Sequence, residues 1–302
     1  MIHTGLPRER ITVMTAVNQS YVLPLAVMLR SLAHSLPQSW HLEIRMLTTG
    51  LCREARHRLD YCLDGLNLKV SEVRIDTSIL DGLKVDRHVS LETYFRLLAP
   101  SLFPDIGKIL YLDADLIIRH PILDCFQEPL QGAHLLAVPH ASRRSAFFAS
   151  ERGVPSYGLL GINPDARTFN AGVMILDLER WRETDTTHKI LKYLREYKDH
   201  VLWWDQDGLN AVLHSNWLPL HAKWNVMASH FDDSLGFEDS VLDRSTFDAV
   251  RGDPGIVHFS SEAKPWRPNY TGPFADFWLQ AYEPVAPLFT HRRCPSANHR
   301  NS

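Results

Sequence analysis

The chain has 302 residues, 45% of them hydrophobic, enough for one large α/β domain with a sizeable core. Its formal charge of −3 argues against a nucleic-acid binder, which usually carries a basic surplus, and no apolar run approaches the roughly 20 residues of a membrane-spanning helix. The opening Met1-Ile2-His3-Thr4-Gly5 lacks the pattern of a secretory signal, and Cys52, Cys62, Cys125 and Cys294 show no Cys-x-x-Cys spacing, so reduced thiols in a cytoplasmic protein are expected.

The β-branched run Ile11 to Val17 reads as a strand, and Val22 to His34 has helical apolar spacing that ends before Pro37. Leu42 to Thr48 is a second strand, Cys52 to Leu63 a charged amphipathic helix, and Leu68 to Ile75 an alternating strand. Leu91 to Leu102 is helical in pattern, with Pro100 near its end. The buried strand Ile109 to Leu112 leads straight into Asp113 and Asp115. Leu135 to Val138 and Gly172 to Leu178 read as strands, Thr187 to Lys198 and Asp205 to His214 as helices. Strands near Trp217 to Leu220 and Ile256 to Phe259 follow, then a helix over Pro273 to Tyr282. Alternating strands and helices imply an α/β fold: a mostly parallel, Rossmann-like sheet with helices on both faces and a small C-terminal helical extension. One domain is expected over residues 1–289 and a disordered basic tail over 290–302. Ala141–Thr168 and Val226–Pro254 break the alternation and are expected to be loops over a cleft.

Motifs for dinucleotides, P-loop phosphates and nucleophilic serines are missing: there is no Gly-x-Gly-x-x-Gly after the first strand, no Gly-x-x-x-x-Gly-Lys and no Gly-x-Ser-x-Gly. What remains is an apolar strand ending in two carboxylates one residue apart, Asp113 and Asp115. Charged groups are costly to bury unless paired or metal-bound, and carboxylate oxygens suit Mn²⁺ or Mg²⁺. His258, at the end of another apolar strand, offers a third ligand and favours Mn²⁺. Lys264, six residues on in a turn-rich loop, can meet a phosphate. A strand-end turn and a core histidine are the bland alternatives for these positions. Asp205 and Asp207 in turn suit the first turn of a helix.

Five blocks in order, closed by His258 to Trp266, carry a resemblance across nearly the whole chain. They are Ala16-Val-Asn18-Gln-Ser20-Tyr21, His88-Val-Ser90-Leu-Glu-Thr-Tyr94-Phe-Arg96-Leu97, Leu110-Tyr-Leu-Asp113-Ala-Asp115, Phe169-Asn170-Ala171-Gly172-Val173 and Asp205-Gln206-Asp207-Gly-Leu-Asn210. The sequence resembles the retaining glycosyltransferases of family 8, a group that includes bacterial lipooligosaccharide galactosyltransferases and glycogenin. The resemblance implies a GT-A fold, a UDP-sugar donor, Mn²⁺ (with Mg²⁺ as the alternative) and retention of anomeric configuration. It places Asp113, Asp115 and His258 on the metal and Ala16, Asn18 and Tyr21 on the uridine. It places Asn170, Ala171, Asp205 and Gln206 around the sugar, with Arg96 reaching the donor and Lys264 neutralising the leaving UDP. Asn18 stands where many relatives have aspartate, Ser261 where they often have glycine, and His140 where an aspartate contacts the donor sugar.

The expected reaction is transfer of a hexose, glucose or galactose, from UDP-sugar to a glycan, lipid-linked or small-molecule acceptor. Gln206, Asp205, Arg96 and Lys264 are its candidate catalytic groups. A UDP-sugar hydrolase or an inactive UDP-sugar-binding module is the alternative. Aromatics from Trp266 to Phe289, followed by His291, Arg292, Arg293 and Arg300, raise the further expectation of weak peripheral contact with an anionic membrane through the tail.

Overall fold

The computed structural model describes residues 9–86, 90–232 and 236–289. The tail 290–302, with its expected disorder and membrane contact, and His88 of the second block lie outside the described residues.

In chain order the elements are β1 (Glu9–Ala16), α1 (Val22–His34), β2 (Trp40–Thr48), α2 (Arg53–Leu63) and β3 (Leu68–Arg74). A 3₁₀ helix, Leu91–Leu98, then runs into α3 (Ala99–Leu102), followed by β4 (Lys108–Leu112), β5 (Leu116–Ile118), α4 (Ile122–Phe126) and β6 (Leu135–Pro139). Next come β7 (Phe169–Asp177), α5 (Leu178–Glu183), α6 (Thr186–Glu196), α7 (Trp204–Leu213), β8 (Trp217–Pro219) and β9 (Val226–Met227). The last are α8 (Arg244–Gly252), β10 (Ile256–His258), α9 (Ala275–Tyr282) and α10 (Ala286–Phe289). Among the described residues the strands form a sheet in the order β3-β2-β1-β4-β7-β6-β8 and a small one in the order β5-β10-β9.

The large sheet is parallel except for β7, which runs against both β4 and β6. Both faces are covered, so its central strands are apolar throughout rather than alternating with polar residues. On β4, Leu110 and Leu112 join the core beneath α1 with Val13, Val173 and Leu29. Ile109 and Tyr111 turn to the other face and pack with Met14, Met174 and the buried residues of α6 and α7. Each such aliphatic side chain contributes roughly 1.5–3 kcal/mol on full burial.

The helical reading of Leu91 to Leu102 holds with a change of winding, and two other expectations are corrected. Leu91 to Leu98 winds as a 3₁₀ helix, its buried side and Pro100 at the start of α3 dividing the segment in two. The region Val226–Pro254 is not all loop: it holds β9 and α8, the latter capped by Asp243 on the Thr246 N–H and seated by Phe247 and Val250. The strand expected from Gly172 begins at Phe169.

The C-terminal extension packs back on the first core. Trp278 of α9 is 1% exposed and lies 5.2 Å, centroid to centroid, from Trp266. Arg58 of α2 sits over the Phe289 ring. Cys52, Cys62 and Cys125 form no disulfide among the described residues, and burial pushes Cys62 up to about 11 and Cys125 up to about 12. No helix among the described residues is long and apolar enough to cross a membrane.

Candidate active site

Three parallel strands, β1, β4 and β6, end along one edge of the sheet, delivering Asn18, Asp113 and His140 there. Because β7 runs the other way, its first residues arrive at the same edge: the Asp113 N–H donates to the Gly172 carbonyl at 2.9 Å. Between β6 and β7 the register jumps. Ala137 faces Met174 but Val138 faces Asn170, one step on one strand against four on the other. Ala171, Gly172 and Val173 thus bulge away from β6, a device common beside active sites. The bulge frees the Ala171 and Gly172 N–H groups for side chains, Gln206 Oε1 (3.1 Å) and Asn170 Oδ1 (2.9 Å). Over this edge opens a cavity of about 1140 Å³.

Asp113, Asp115 and His258 converge there, each offering a ligand atom within 4.8 Å of the others. His258 Nε2 lies 3.3 Å from Asp115 Oδ1 and 3.6 Å from Asp113 Oδ2. Neighbouring donors on an octahedral ion bound at about 2.1 Å sit about 3 Å apart, so this mixed N/O set fits one small divalent cation. Lys264, 5% exposed, donates to Asp115 Oδ2 and to the Phe259 carbonyl, both at 2.6 Å. Burial would raise the Asp115 carboxyl, but the Lys264 ammonium and His258 override it and hold it well below the usual carboxylate range. Ser261, in the loop joining His258 to Lys264, avoids the left-handed backbone region, so the loop has no need of glycine there.

Arg96 is buried and heavily engaged. It donates through Nε to the Thr93 carbonyl (3.0 Å) and through Nη1 to the Ala171 carbonyl (2.6 Å). It also lies 3.2 Å from Asp113 Oδ1 and 2.9 Å from Asp205 Oδ2. Its Nε–H points at Thr93, so the second approach is an ion pair rather than a hydrogen bond. The guanidinium also stacks on the Tyr111 ring at 4.2 Å, and the Tyr111 hydroxyl donates to Asp113 Oδ1 at 2.7 Å. Arg96 therefore lines the cleft while holding two acids in place.

Asp205 and Gln206 are presented by the start of α7, where Trp204 has a left-handed φ of 50°. For a bulky residue that conformation is strained, at about 1–2 kcal/mol. The Thr93 hydroxyl donates to Asp205 Oδ1, and burial pushes the Asp205 carboxyl up to about 6 against the pull of Arg96. Asp207 turns back to accept from the Leu202 and Trp203 N–H groups. One acid thus anchors the helix start and its neighbour faces the cleft, as the two readings of this motif allow together. Both lone pairs of Gln206 Oε1 are taken, by Ala171 N–H and by Asn170 Nδ2 at 3.0 Å. At the opposite end, Ala16, Asn18 and Tyr21 line the cavity. Asn18 Oδ1 accepts from the Ser20 backbone and hydroxyl, while its Nδ2 donates to Ser90. Tyr21 sits edge-on to Trp266 at 5.6 Å, and Lys264 Nζ lies beside both rings, 5.9 Å from the first and 5.5 Å from the second.

Sequence reasoning missed Thr93, Tyr111, Asn225 and His230, which has its ring 6.0 Å from that of His140. Burial, helped by the neighbouring cations, pushes His140 down to about 3, and burial pushes His230 down to about 4 against Asp239. Unfolded, both would titrate near 6.5. The folded state therefore binds protons less readily, and this contribution is complete above about 6.5 and lost as the pH falls toward 4 and 3. A His140→Gln/His230→Gln double variant is expected to lose less stability than the wild type between pH 7 and pH 5. Urea unfolding at both pH values checks this, and equal losses would contradict it. Asp205 and Asp207, raised by burial to about 6 and about 7, act in the opposite sense but are common to both proteins.

Among solved structures, this fold is similar to a galactosyltransferase, LgtC, in complex with donor and acceptor sugar analogues. The TM-score is 0.75 at 23% identity, covering 90% of this chain and 95% of that one. The architecture is that of the GT-A glycosyltransferases. The chain belongs to glycosyl transferase family 8, which it matches over residues 12–269. It is 25% identical to General stress protein A of Bacillus subtilis over 272 residues, 89% of this chain and 91% of that one. It is 28% identical to the Lipopolysaccharide 1,2-glucosyltransferase of Escherichia coli over 222 residues, 72% of this chain and 61% of that one.

Proposed function

We propose that this glycosyltransferase moves a hexose, glucose or galactose, from a UDP-sugar to a hydroxyl of a glycan, lipid-linked or small-molecule acceptor, with retention and with Mn²⁺ (or Mg²⁺) bound. The observation that supports this most is the convergence of Asp113, Asp115 and His258 at the floor of a cleft large enough for a nucleotide sugar. A divalent cation held by these three would supply charge neutralisation at the diphosphate.

The rest falls to the chain's own groups. Ala16, Asn18 and Tyr21 bind the uridine, Tyr21 through its ring and Asn18 through the amide hydrogen that Ser90 leaves over. Lys264 faces the leaving diphosphate and stabilises the charge that develops on it. Arg96 keeps Asp113 and Asp205 oriented. Asn170, Ala171, Asp205 and Gln206 bind the sugar as it gains oxocarbenium character. The Gln206 carbonyl is engaged by two N–H groups, so it is a positioned dipole rather than a nucleophile. We therefore favour front-face substitution. The anomeric carbon–phosphate oxygen bond breaks, its electron pair goes to UDP, and the acceptor oxygen bonds the same face. The acceptor's proton passes to the leaving phosphate oxygen.

Asp115→Asn is expected to reduce turnover of UDP-glucose or UDP-galactose by at least about 10²-fold and to abolish the Mn²⁺ dependence of UDP affinity together. Titration calorimetry of UDP with and without Mn²⁺, alongside product analysis by mass spectrometry, reads both. Wild-type turnover in that variant would sink the assignment.

A further inference from the structure

Resting on the metal site proposed above, we propose that Asn225 is a positioning residue that sets the tautomer of His258. The argument starts from a group whose chemistry is not adjustable. The backbone N–H of Gly172 donates to Asn170 at 2.9 Å, so the Asn170 atom facing it is the amide oxygen. That same oxygen lies 2.8 Å from Asn225, and an oxygen already acting as acceptor requires the Asn225 NH₂ there. The Asn225 oxygen then faces His258 Nδ1 at 2.9 Å, and an amide oxygen only accepts. His258 must therefore carry its proton on Nδ1. In the neutral ring this leaves the Nε2 lone pair directed toward Asp113 and Asp115.

Asn225 is 5% and His258 2% exposed, so water does not compete for this bond. A metal-binding imidazole typically has its second nitrogen held in this way. Here the holder is an amide rather than a carboxylate, and it is itself locked by the bulge of β7. Asn170 Nδ2 also donates to Gln206 Oε1. Two buried amides in series, Asn225 and Asn170, thus join the metal-ligand histidine to the residue at the sugar end.

The test uses the full chain and Mn²⁺ alone, followed by the electron paramagnetic resonance signal of the free ion, with long-range ¹H–¹⁵N NMR of His258 in the metal-free protein. Asn225→Ala is expected to weaken Mn²⁺ binding about 10–100-fold. Asn225→Asp, which keeps an acceptor for Nδ1–H but loses the donor to Asn170, is expected to keep the Nδ1–H tautomer and to retain more Mn²⁺ affinity than Asn225→Ala. In the wild type, His258 is expected as the Nδ1–H tautomer. A wild-type ring protonated on Nε2 alone, or unchanged Mn²⁺ affinity in a folded Asn225→Ala, would overturn the proposal. If Asn225→Ala does not fold, the wild-type tautomer decides. If the wild type binds no Mn²⁺ yet shows the Nδ1–H tautomer, the metal reading fails while the positioning of the ring stands.

Discussion

Gly172→Ala is expected to lower turnover by about 10²-fold or more while leaving the protein folded. Gly172 has no left-handed φ, so its backbone conformation is open to any residue. The constraint is space. A Cβ there would lie 2.3 Å from His258 Cε1 and 2.8 Å from Asp113 Oδ2. Both neighbours are proposed metal ligands, and β7 cannot recede because Asp113 N–H is bonded to the Gly172 carbonyl. The ligands must move instead. Displacement by about 1 Å at such a site costs about 10²-fold in rate, whereas overpacking costs about 1–3 kcal/mol of stability. Mn²⁺-dependent UDP binding and circular dichroism, measured on the same sample, separate the two. Wild-type binding in this variant would mean that the three side chains do not share an ion.

The second large effect is on stability. Arg96→Met removes the cation between Asp113 and Asp205, and breaking a buried pair typically costs about 3–5 kcal/mol because a charge is left uncompensated. For a chain of this size that is a fall in Tm on the order of 10 °C at pH 7. Adding Asp205→Asn to Arg96→Met should restore part of the loss. The Asp205 carboxyl, 2% exposed and already raised to about 6, is the acid least able to remain charged without its partner. Thermal unfolding of the two variants gives the comparison. A double variant less stable than the single one would show that Asp205 is held by Thr93 rather than by Arg96.

The order of elements was legible because apolar period and length separate strands from helices in a two-faced sheet. Val22 to His34 and the strand before Asp113 emerged with little error. The direction of β7 was not legible, since pairing sense leaves no mark on a fully buried strand. Helix α8 escaped because Phe247 and Val250 are its only buried residues, too few for a visible stripe. Of the site, the acids, His258 and Lys264 announce themselves by charge at strand ends. Asn225 does not: a lone asparagine beside a turn is unremarkable until its two neighbours are seen. Gln206 was legible as a site residue, but not that its carbonyl would be doubly engaged.

The reversed direction of β7 has a consequence for how such a protein can diversify. A strand that starts where its neighbours finish obliges the chain after β6 to travel out over the cleft and come back before it can begin. That excursion is closed by one ladder pair, Pro139 with Phe169, and the strand it returns to is held further along by Leu112 with Val173. Its length does not enter the register of either. Residues added at its exposed turns, between the buried anchors Phe148, Val154 and Ile162, would not slide the acids or the amides beneath, so the rim of the cleft can vary while the strand ends stay fixed.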